Sequence, residues 1–465
     1  MRVRRWLASA LFLVVAVVAG VLAVRAPAPV LTPSSGARPA RAVLSARRAP
    51  EVLSNFVADV RLAARLDTFL GDASLADGRN RSCLVVQQGG RAVYARQPHE
   101  LLTPASNLKL ATASAALTRL GQTTTMETAV IARRPDNGVV AGDLWVVGGG
   151  DPLLATKPYA DSFANQPQLH TPYEDLAAKV VAAGVHEVQG RVMGDDSRYD
   201  AQRYLPSWKR AYITEGHVGP ESALAVNDGY QAFSPHKVVS TEPAVSAAAI
   251  FTELLRAQGV VVAGEPGAGK APGGLAGIAS VRSPPVKDIV GEMLRESDNN
   301  TAELLVKELG RRFANAGTTA AGLGVVRDSL ARAKLPSTEV KAIDGSGLDR
   351  SDLATCNLFA QILATTGHDG PITAGLAVAG ETGTLAERFD HNPAAGRLRG
   401  KTGFLDGVVA LSGWMDGTRG GELLFSFLAN GLPIPTEKPG YGAQERLGAI
   451  LAGYPESPAA AELQP

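Results

Sequence analysis

The chain has 465 residues, of which 45% are hydrophobic and 20% are charged, and its formal net charge is +1. This length exceeds the size at which one hydrophobic core stops growing, so we expect two or more folding units. The charge balance gives no electrostatic case for nucleic acid as a partner. Two cysteines exclude a disulfide-dense scaffold, and the seven histidines form no H-E-x-x-H pair, which argues against a metalloenzyme.

The N-terminal composition indicates export. Three arginines among the first five residues precede an uncharged run of 19 residues, Trp6–Val24, which approaches the length needed to span a bilayer. We expect residues 1–26 to be either a cleaved signal peptide or an N-terminal membrane anchor. Residues 27–50, rich in Pro, Ala, Ser and Arg, are expected to form a flexible linker. In both cases the positive-inside rule places the bulk of the chain outside the cytoplasm, in the cell envelope.

Export makes a disulfide between Cys83 and Cys356 chemically permissible. The alternative is a pair of small buried thiols, because Cys83 opens an apolar run and Cys356 lies where a helix should begin. The sequence leaves both possibilities open.

The first third of the chain has clear secondary-structure signals. Helical spacing of apolar residues predicts a helix over Val52–Leu70. Two strand-like runs, Cys83–Gln87 and Arg91–Tyr94, flank Gln88-Gly89-Gly90 and predict a hairpin. An alanine-rich helix is then expected from Ser106 to Leu120, where Gly121 stops it.

The remainder divides by pattern into an inserted segment and a second helical part. Strands and loops dominate residues 123–280, with helices at Tyr173–Ala183 and Ala244–Gln258. After Pro285 the pattern is helical, and it closes with two strands, Val408–Trp414 and Leu423–Leu428. We therefore expect one α/β domain, interrupted by a long and mainly β insertion. The expected boundaries are residues 51–122 and 281–453 for this domain, 123–280 for the insertion and 454–465 for a disordered tail.

A first candidate for chemistry is the tetrapeptide Ser106-Asn107-Leu108-Lys109. Residues three apart on a helix lie on one face, so the serine hydroxyl and the lysine amine are close enough to interact. A lysine can deprotonate a serine if burial or a neighbouring cation lowers its pKa, and Lys401 is the candidate cation. Alternatively, Ser106 only caps a helix and Lys109 lies on the surface.

Two later motifs supply complementary groups. Ser297-Asp298-Asn299 is expected to join the helices Val286–Leu294 and Ala302–Phe313. There, Ser297 can relay a proton and the Asn299 carboxamide can hold the lysine and a substrate amide. In Lys401-Thr402-Gly403, before a strand, the cation and hydroxyl suit a terminal carboxylate, and the glycine allows close approach of a substrate backbone. Singly, these motifs also fit a helix cap and a turn.

Together and in this order, the three motifs resemble those of active-site serine enzymes that are acylated by penicillin or D-alanyl peptides. Further segments extend the resemblance to the low-molecular-mass class C penicillin-binding proteins, the D-alanyl-D-alanine carboxypeptidase/endopeptidase family, from about residue 55 to 452. These segments are Gly148–Pro152, Gly190–Tyr199, Pro220–Asn227, Asp344–Leu348 and Gly383–Leu385. The separation of 191 residues between Ser106 and Ser297 is far longer than in class A β-lactamases and looks like this family's inserted domain.

The resemblance implies a transpeptidase-type domain with an antiparallel sheet flanked by helices. It implies that Ser106 is the acylated nucleophile, with Lys109 as its base and Ser297 as a proton relay. It also implies a substrate-binding role for Asn299, Lys401, Thr402 and Gly403, and an oxyanion hole from the backbone N–H groups of Ser106 and Phe404. In some relatives an aspartate and an arginine read a diaminopimelate side chain, and Asp195 and Arg350 fall at similar positions here.

One position departs from the family pattern. The family usually has Thr or Ser after K-T-G, whereas this chain has Phe404. If the position contributes only its N–H, acylation survives, because every residue except proline supplies one. A lost side-chain contact would instead weaken or narrow peptide binding.

The resulting hypothesis is a serine-type D-Ala-D-Ala carboxypeptidase or endopeptidase that acts on peptidoglycan stem peptides through an acyl-enzyme. The resemblance implies no metal or organic cofactor and predicts β-lactam antibiotics as acylating inhibitors. The membrane is a further partner if the N-terminal segment stays uncleaved, and nucleic acid is not expected. The alternatives are a β-lactamase, which differs in deacylation rate, and a non-catalytic envelope protein that retains the fold.

Overall fold

The computed structural model describes residues 50–72, 75, 81–418 and 421–456, without the side chains of Pro50 and Glu51. The predicted signal peptide or anchor and residues 27–49 of the predicted linker lie outside this range. Within the described part of the chain, no helix combines the length and apolar character needed to cross a bilayer.

The described residues form a mixed α/β structure. The helices are α1 Pro50–Leu70, α2 Lys109–Ala115, α3 Lys157–Ala160, α4 Tyr173–Ala182, α5 Arg210–Thr214, α6 Pro243–Ala257, α7 Val286–Glu296, α8 Asn299–Phe313, α9 Thr319–Arg332, α10 Cys356–Thr366, α11 Pro371–Ala374 and α12 Glu437–Ala452. The strands are β1 Arg81–Gln88, β2 Arg91–Arg96, β3 Glu127–Ala132, β4 Val139–Val140, β5 Leu144–Val147, β6 Leu154–Ala155, β7 Thr171–Pro172, β8 Glu187–Val188, β9 Val192–Asp195, β10 Tyr230–Ala232, β11 Val238–Val239, β12 Val261–Val262, β13 Gly267–Ala268, β14 Ala276–Arg282, β15 Val340–Lys341, β16 Leu353–Ala354, β17 Ala377–Val378, β18 Leu398–Leu405, β19 Val408–Asp416 and β20 Glu422–Asn430.

A six-stranded antiparallel sheet, in the order β17-β18-β19-β20-β1-β2, forms the centre of the molecule. Its middle strands β19 and β20 are buried along almost their whole length, as expected for strands covered on both faces. Alternate residues contribute to two separate hydrophobic cores: α1 and α12 cover one face, and α2, α7, α8 and α10 cover the other. The predicted fold class, an antiparallel sheet flanked by helices, is confirmed.

Local predictions around this sheet hold with small shifts at the ends. The β1–β2 hairpin pairs Gln88 with Arg91, and Gly89 and Gly90 both have positive φ, the pattern of the tight turn that suits strand twist. The single helix predicted over residues 106–120 consists of three parts: a 3-10 turn at Ala105–Leu108, then α2, then a π-helical turn at Ala116–Leu120.

Residues between α2 and α7 build a second unit with a core of its own. A five-stranded mixed sheet, β13-β9-β5-β3-β14, and a three-stranded parallel sheet, β12-β8-β4, pack with α4 and α6. Its first and last strands, β3 and β14, are antiparallel neighbours, so the chain leaves and returns at one place. This agrees with a mainly β insertion, whose predicted limits of 123 and 280 stay a prediction.

Two further details concern the ends of the main domain. Cys83 on β1 and Cys356 at the start of α10 are joined by a disulfide, with Cα atoms 5.9 Å apart. Of the two possibilities that the sequence left open, the structure therefore shows the disulfide and not a pair of free thiols. The predicted start of the tail at residue 454 stays a prediction; Tyr454 itself is 3% exposed, and its hydroxyl lies 2.9 Å from both Asp59 Oδ1 and Gln88 Oε1. Residues 457–465 of the predicted tail lie outside the described part of the chain.

Candidate active site

Ser106 lies in the 3-10 turn immediately before α2, a turn that packs against β18 and β19 of the central sheet. Two glycines from other motifs allow the close packing around this turn. A Cβ on Gly403 would lie 2.8 Å from the carbonyl oxygen of Pro104, and one on Gly347 would lie 1.9 Å from that of Ala105. Gly347 also has φ +83°, which glycine adopts without strain. The K-T-G strand and the D-G-S-G-L segment therefore both pack against the start of the nucleophile helix.

The amine of Lys109 faces the hydroxyl of Ser106. Its Nζ lies 3.0 Å from Ser106 Oγ, 2.6 Å from Asn299 Oδ1 and 2.8 Å from the carbonyl oxygen of Ser346. A neutral amine has two N–H bonds and one lone pair. If Asn299 and Ser346 accept the two N–H bonds, the lone pair is directed at the serine hydroxyl, which is the arrangement of a general base.

Burial lowers the pKa of Lys109 to about 8, from its ordinary 10.5. The side chain is completely inaccessible to water, and desolvation disfavours the charged form. Four carboxylates oppose this shift and keep the pKa from falling further, namely Asp344, Glu303, Asp298 and Asp352. The sequence had offered Lys401 as a cause of the depression, whereas the structure assigns it to burial.

Lys401 is also fully buried, on β18. Burial is the main cause that lowers its pKa well below the ordinary value, and the charge of Lys109 lowers it further. Its Nζ donates to the carbonyl oxygen of Thr402 at 2.9 Å, and the Thr402 hydroxyl lies 2.9 Å from that of Thr384. Asn107, next to the nucleophile, donates to Ser412, which is the register partner of Lys401 on β19. The first and third motifs are thus joined through the sheet.

The Ser297-Asp298-Asn299 motif connects α7 to α8. Ser297 has φ +62° at the end of α7, and Asn299 is the first residue of α8. No hydrogen bond joins the Ser297 side chain to Ser106 or Lys109 among the residues described. Its neighbours nevertheless act on both amines: Asp298 raises the pKa of Lys109, and Glu296 raises that of Lys401. The loop with Ser297 is therefore within electrostatic range of both lysines.

The insertion contributes to the site through a loop that the sequence analysis missed. Asn299 Nδ2 donates to the carbonyl oxygen of His217 at 2.8 Å, and the amide of Gly219 donates to Asn300 Oδ1 at 2.8 Å. The contributing group is a backbone carbonyl, which any residue carries, so no residue pattern predicts it.

A cavity of about 450 Å³ opens in front of Ser106. Its wall combines residues of the motifs with residues from α5, the loop after β18 and α12. The lining residues are Ser106, Lys209, Ala211, Tyr212, Glu215, His217, Asn299, Leu348, Phe404, Leu405, Asp406, Glu437 and Tyr441. The sequence analysis did not identify Lys209, Tyr212, Asp406 or Tyr441, because no short motif contains them.

Phe404 presents its ring to this cavity. The ring packs against that of Tyr441, with centroids 5.3 Å apart. On Tyr441, the guanidinium carbon of Arg388 lies 4.2 Å from the ring centroid. Thr402 and Phe404 are two residues apart on β18, so both side chains leave the strand on the same side. An aromatic surface thus stands beside Thr402, where the family usually has a hydroxyl.

The two residues expected to read a substrate side chain lie in different places. Arg350 is exposed and donates to the carbonyl oxygen of Asp406, on the rim of the cavity. Asp195 is 5% exposed, and its carboxylate accepts the amides of Ser197 and Ala271 within the insertion. Asp195 does not line this cavity, and its role in reading a substrate side chain stays a prediction.

The fold and this constellation define an active-site serine peptidase of the penicillin-binding type. The sequence matches the D-Ala-D-Ala carboxypeptidase 3 (S13) family over residues 62–238 and 231–445. The chain therefore belongs to this family of serine peptidases, which confirms the resemblance drawn from its motifs.

Individual relatives agree with this assignment. A D-alanyl-D-alanine carboxypeptidase of Actinomadura sp. (strain R39) is 29% identical, over 90% of this chain and 88% of that protein. A carboxypeptidase of Mycobacterium tuberculosis is 30% identical, over 73% of this chain and 74% of that protein. The crystal structure of penicillin-binding protein 4 from Haemophilus influenzae is 19% identical and superposes with a TM-score of 0.70, over 83% of this chain and 98% of that one. This similarity supports the fold.

Proposed function

We propose that this chain is a D-alanyl-D-alanine carboxypeptidase/endopeptidase of the cell envelope that uses Ser106 as its nucleophile. The observation that carries the proposal is the contact of 3.0 Å between a buried lysine amine and the Ser106 hydroxyl, with the other acceptors of that amine already in place. Family membership supports the substrate class, D-alanyl ends or cross-links of peptidoglycan stem peptides.

The proposed acylation begins from the contact between Lys109 and Ser106. Neutral Lys109 takes the hydroxyl proton as Ser106 Oγ attacks the carbonyl carbon of the penultimate D-alanine. The backbone N–H groups of Ser106 and Phe404 are proposed to stabilise the oxyanion. The carbon–nitrogen bond then breaks, and the departing amine takes a proton that Ser297 relays from Lys109. Water subsequently cleaves the serine ester and releases the shortened peptide.

The remaining groups are proposed to bind substrate. Asn299 holds the substrate amide as well as Lys109, and Lys401 and Thr402 form the pocket for the terminal carboxylate, where Gly403 allows close approach of the peptide backbone. Lys401 is fully buried, so a carboxylate that binds next to its amine would raise the pKa of Lys401 and favour its charged form. Arg350, on the rim, is positioned to contact a charged side chain of the stem peptide.

Two further proposals concern inhibition by β-lactams and the location of the protein. Penicillin-binding protein 4 from Haemophilus influenzae has been solved in complex with a β-lactam, and an endopeptidase from Bdellovibrio bacteriovorus has been solved acylated by penicillin G. We propose that β-lactams acylate Ser106 here as well. We further propose that the main domain lies on the extracytoplasmic side, with the N-terminal segment either cleaved or retained as an anchor.

Mass spectrometry after incubation with penicillin tests the nucleophile. We expect a covalent adduct on a peptide containing Ser106 in the wild type and none in Ser106→Ala, with unchanged circular dichroism in both. Release of D-alanine from a D-Ala-D-Ala pentapeptide tests the reaction. A folded wild type that forms no adduct would refute the assignment, and an adduct without D-alanine release would indicate a binding protein rather than a peptidase.

A further inference from the structure

The first helix presents an apolar stripe to solvent. The side chains of Val52, Phe56 and Val60 are 66%, 63% and 52% exposed, and their spacing of four residues places them along one side of α1. We call these three residues the N-terminal stripe, which extends over roughly 12 Å. Nine large hydrophobic side chains are strongly exposed in the described part of the chain, and three of them form this stripe. Such a concentration differs from the scattered exposure that is normal for a protein surface.

The charge of the chain changes where this helix begins. Residues 1–50 contain eight of the 46 basic residues, all arginines, and none of the 45 acidic residues. The chain from Glu51 onward therefore carries 38 basic and 45 acidic residues, a net charge of −7. Four of the arginines, at positions 38, 41, 47 and 48, lie in the short segment before α1. An anionic surface would attract this end of the molecule and repel the remainder.

We propose that the N-terminal stripe docks on an anionic phospholipid bilayer, with α1 lying along the headgroups, and that the basic composition of the preceding segment favours an anionic over a neutral surface. Apolar side chains on one side of a helix, combined with a cluster of basic residues, are the two signals that hold a helix at a bilayer surface. A second copy is a poorer occupant, because it would bring two arginine-rich segments together. Arg61 and Arg65, lower on α1, instead contact Glu456 and hold the end of the chain.

The proposal can be tested on the full chain, because its two native cysteines are joined to each other and do not react with thiol labels. Phe56→Cys carries a polarity-sensitive fluorophore, and the matched control is Asn55→Cys, an exposed neighbour that points away from the stripe. Both are reconstituted in phosphatidylcholine vesicles with and without phosphatidylglycerol. We expect emission from position 56, but not from position 55, to shift to shorter wavelength in the anionic vesicles. Lipids that carry a quencher should reduce the emission from position 56 in the anionic vesicles. The double variant Val52→Ser, Val60→Ser should abolish the wavelength shift.

Four outcomes would overturn the proposal. They are no shift at position 56, an equal shift in neutral vesicles, a shift that grows with protein density, and a shift that lipid quenchers do not affect. The third would indicate a second copy on the stripe, and the fourth would indicate a cover formed by the chain itself. Acylation by penicillin should be unchanged in every variant, because the stripe lies outside the proposed active site. This comparison separates docking from the proposed peptidase function.

Discussion

The carboxamide of Asn299 is anchored by the backbone carbonyl of His217, to which its nitrogen donates at 2.8 Å. With the nitrogen held by the insertion, the oxygen turns toward Lys109 and accepts from it at 2.6 Å. The insertion therefore fixes the orientation of a group that contacts the proposed base. Catalysis would depend on a residue 82 positions away in sequence that supplies only its main chain.

Replacement of Asn299 by aspartate tests this orientation. The carboxylate would lie beside the Lys109 amine and raise its pKa, typically by roughly one to three units for an adjacent opposite charge. At pH 7 we expect acylation by a fluorescent penicillin to be at least about tenfold slower, with part of the activity recovered at higher pH. Asn315→Asp, an exposed change beyond the end of α8, is the control. An unchanged pH profile in Asn299→Asp would contradict the contact.

The wild-type enzyme should acquire activity as Lys109 loses its proton. Its pKa is lowered to about 8 by burial, so the neutral, active form is the minority below that pH. We expect the acylation rate to rise about tenfold per pH unit below 8 and to level off above it. Stopped-flow measurements between pH 6 and pH 10 provide the curve, and a profile that is flat from pH 6 to pH 8 would exclude Lys109 as the base.

Gly403 should tolerate no side chain. A Cβ there would lie 2.8 Å from the carbonyl oxygen of Pro104 and 2.9 Å from Ala410, so Gly403→Ala must separate β18 from the nucleophile turn. We expect a loss of acylation rate of about 10²-fold, since small misplacements of reacting groups have effects of this order. Gly442→Ala on α12, where a Cβ meets no atom within 4 Å, should keep full activity. Normal acylation in Gly403→Ala would show that this close packing is dispensable.

Phe404→Thr separates the backbone role of this position from its side-chain role. The N–H group is retained, so penicillin acylation should change by less than about tenfold. A hydroxyl beside Thr402 would add a hydrogen bond to the peptide carboxylate, and such bonds to charged groups contribute about 1.5–3 kcal/mol. We therefore expect KM for a D-Ala-D-Ala peptide to fall by about tenfold or more. If both reactions are lost instead, the aromatic ring itself is required.

The disulfide between Cys83 and Cys356 connects the central sheet to α10 within one buried core. Replacement of both cysteines by alanine should lower the free energy of unfolding by about 2–4 kcal/mol, the usual contribution of a native disulfide. Guanidinium unfolding of the main domain, followed by tryptophan fluorescence, measures the loss. Reduction of the wild type should reproduce it, and coincident curves for wild type and variant would show that the bond adds no stability.

The sequence predicted those parts of the site that depend on side-chain identity at short spacing. Ser106 and Lys109 share a helix face by spacing alone, and the resemblance correctly joined them to Asn299. Sequence motifs gave no information on contacts that a main-chain group makes, such as that of the His217 carbonyl. They also gave none on contacts between residues remote in the chain, such as the packing of Tyr441 on Phe404. Asp195 accepts two backbone amides within the insertion, and its role with a substrate side chain stays a prediction.

The fold prediction succeeded for a similar reason. The spacing of apolar residues predicts the helix α1, and continuous apolar runs predict the buried strands β19 and β20. The division of residues 105–120 into three kinds of helical turn is not evident from the sequence, since the first turn packs against Gly347 and Gly403, which are remote in the chain.

The side-by-side arrangement of β3 and β14 gives the insertion a single narrow attachment, with Glu127 opposite Arg282. A segment tethered in this way can be exchanged, enlarged or trimmed over evolutionary time without rerouting the host polypeptide. The stretch around His217 is more constrained, because there the insertion contacts Asn299 and so takes part in the chemistry of the main domain.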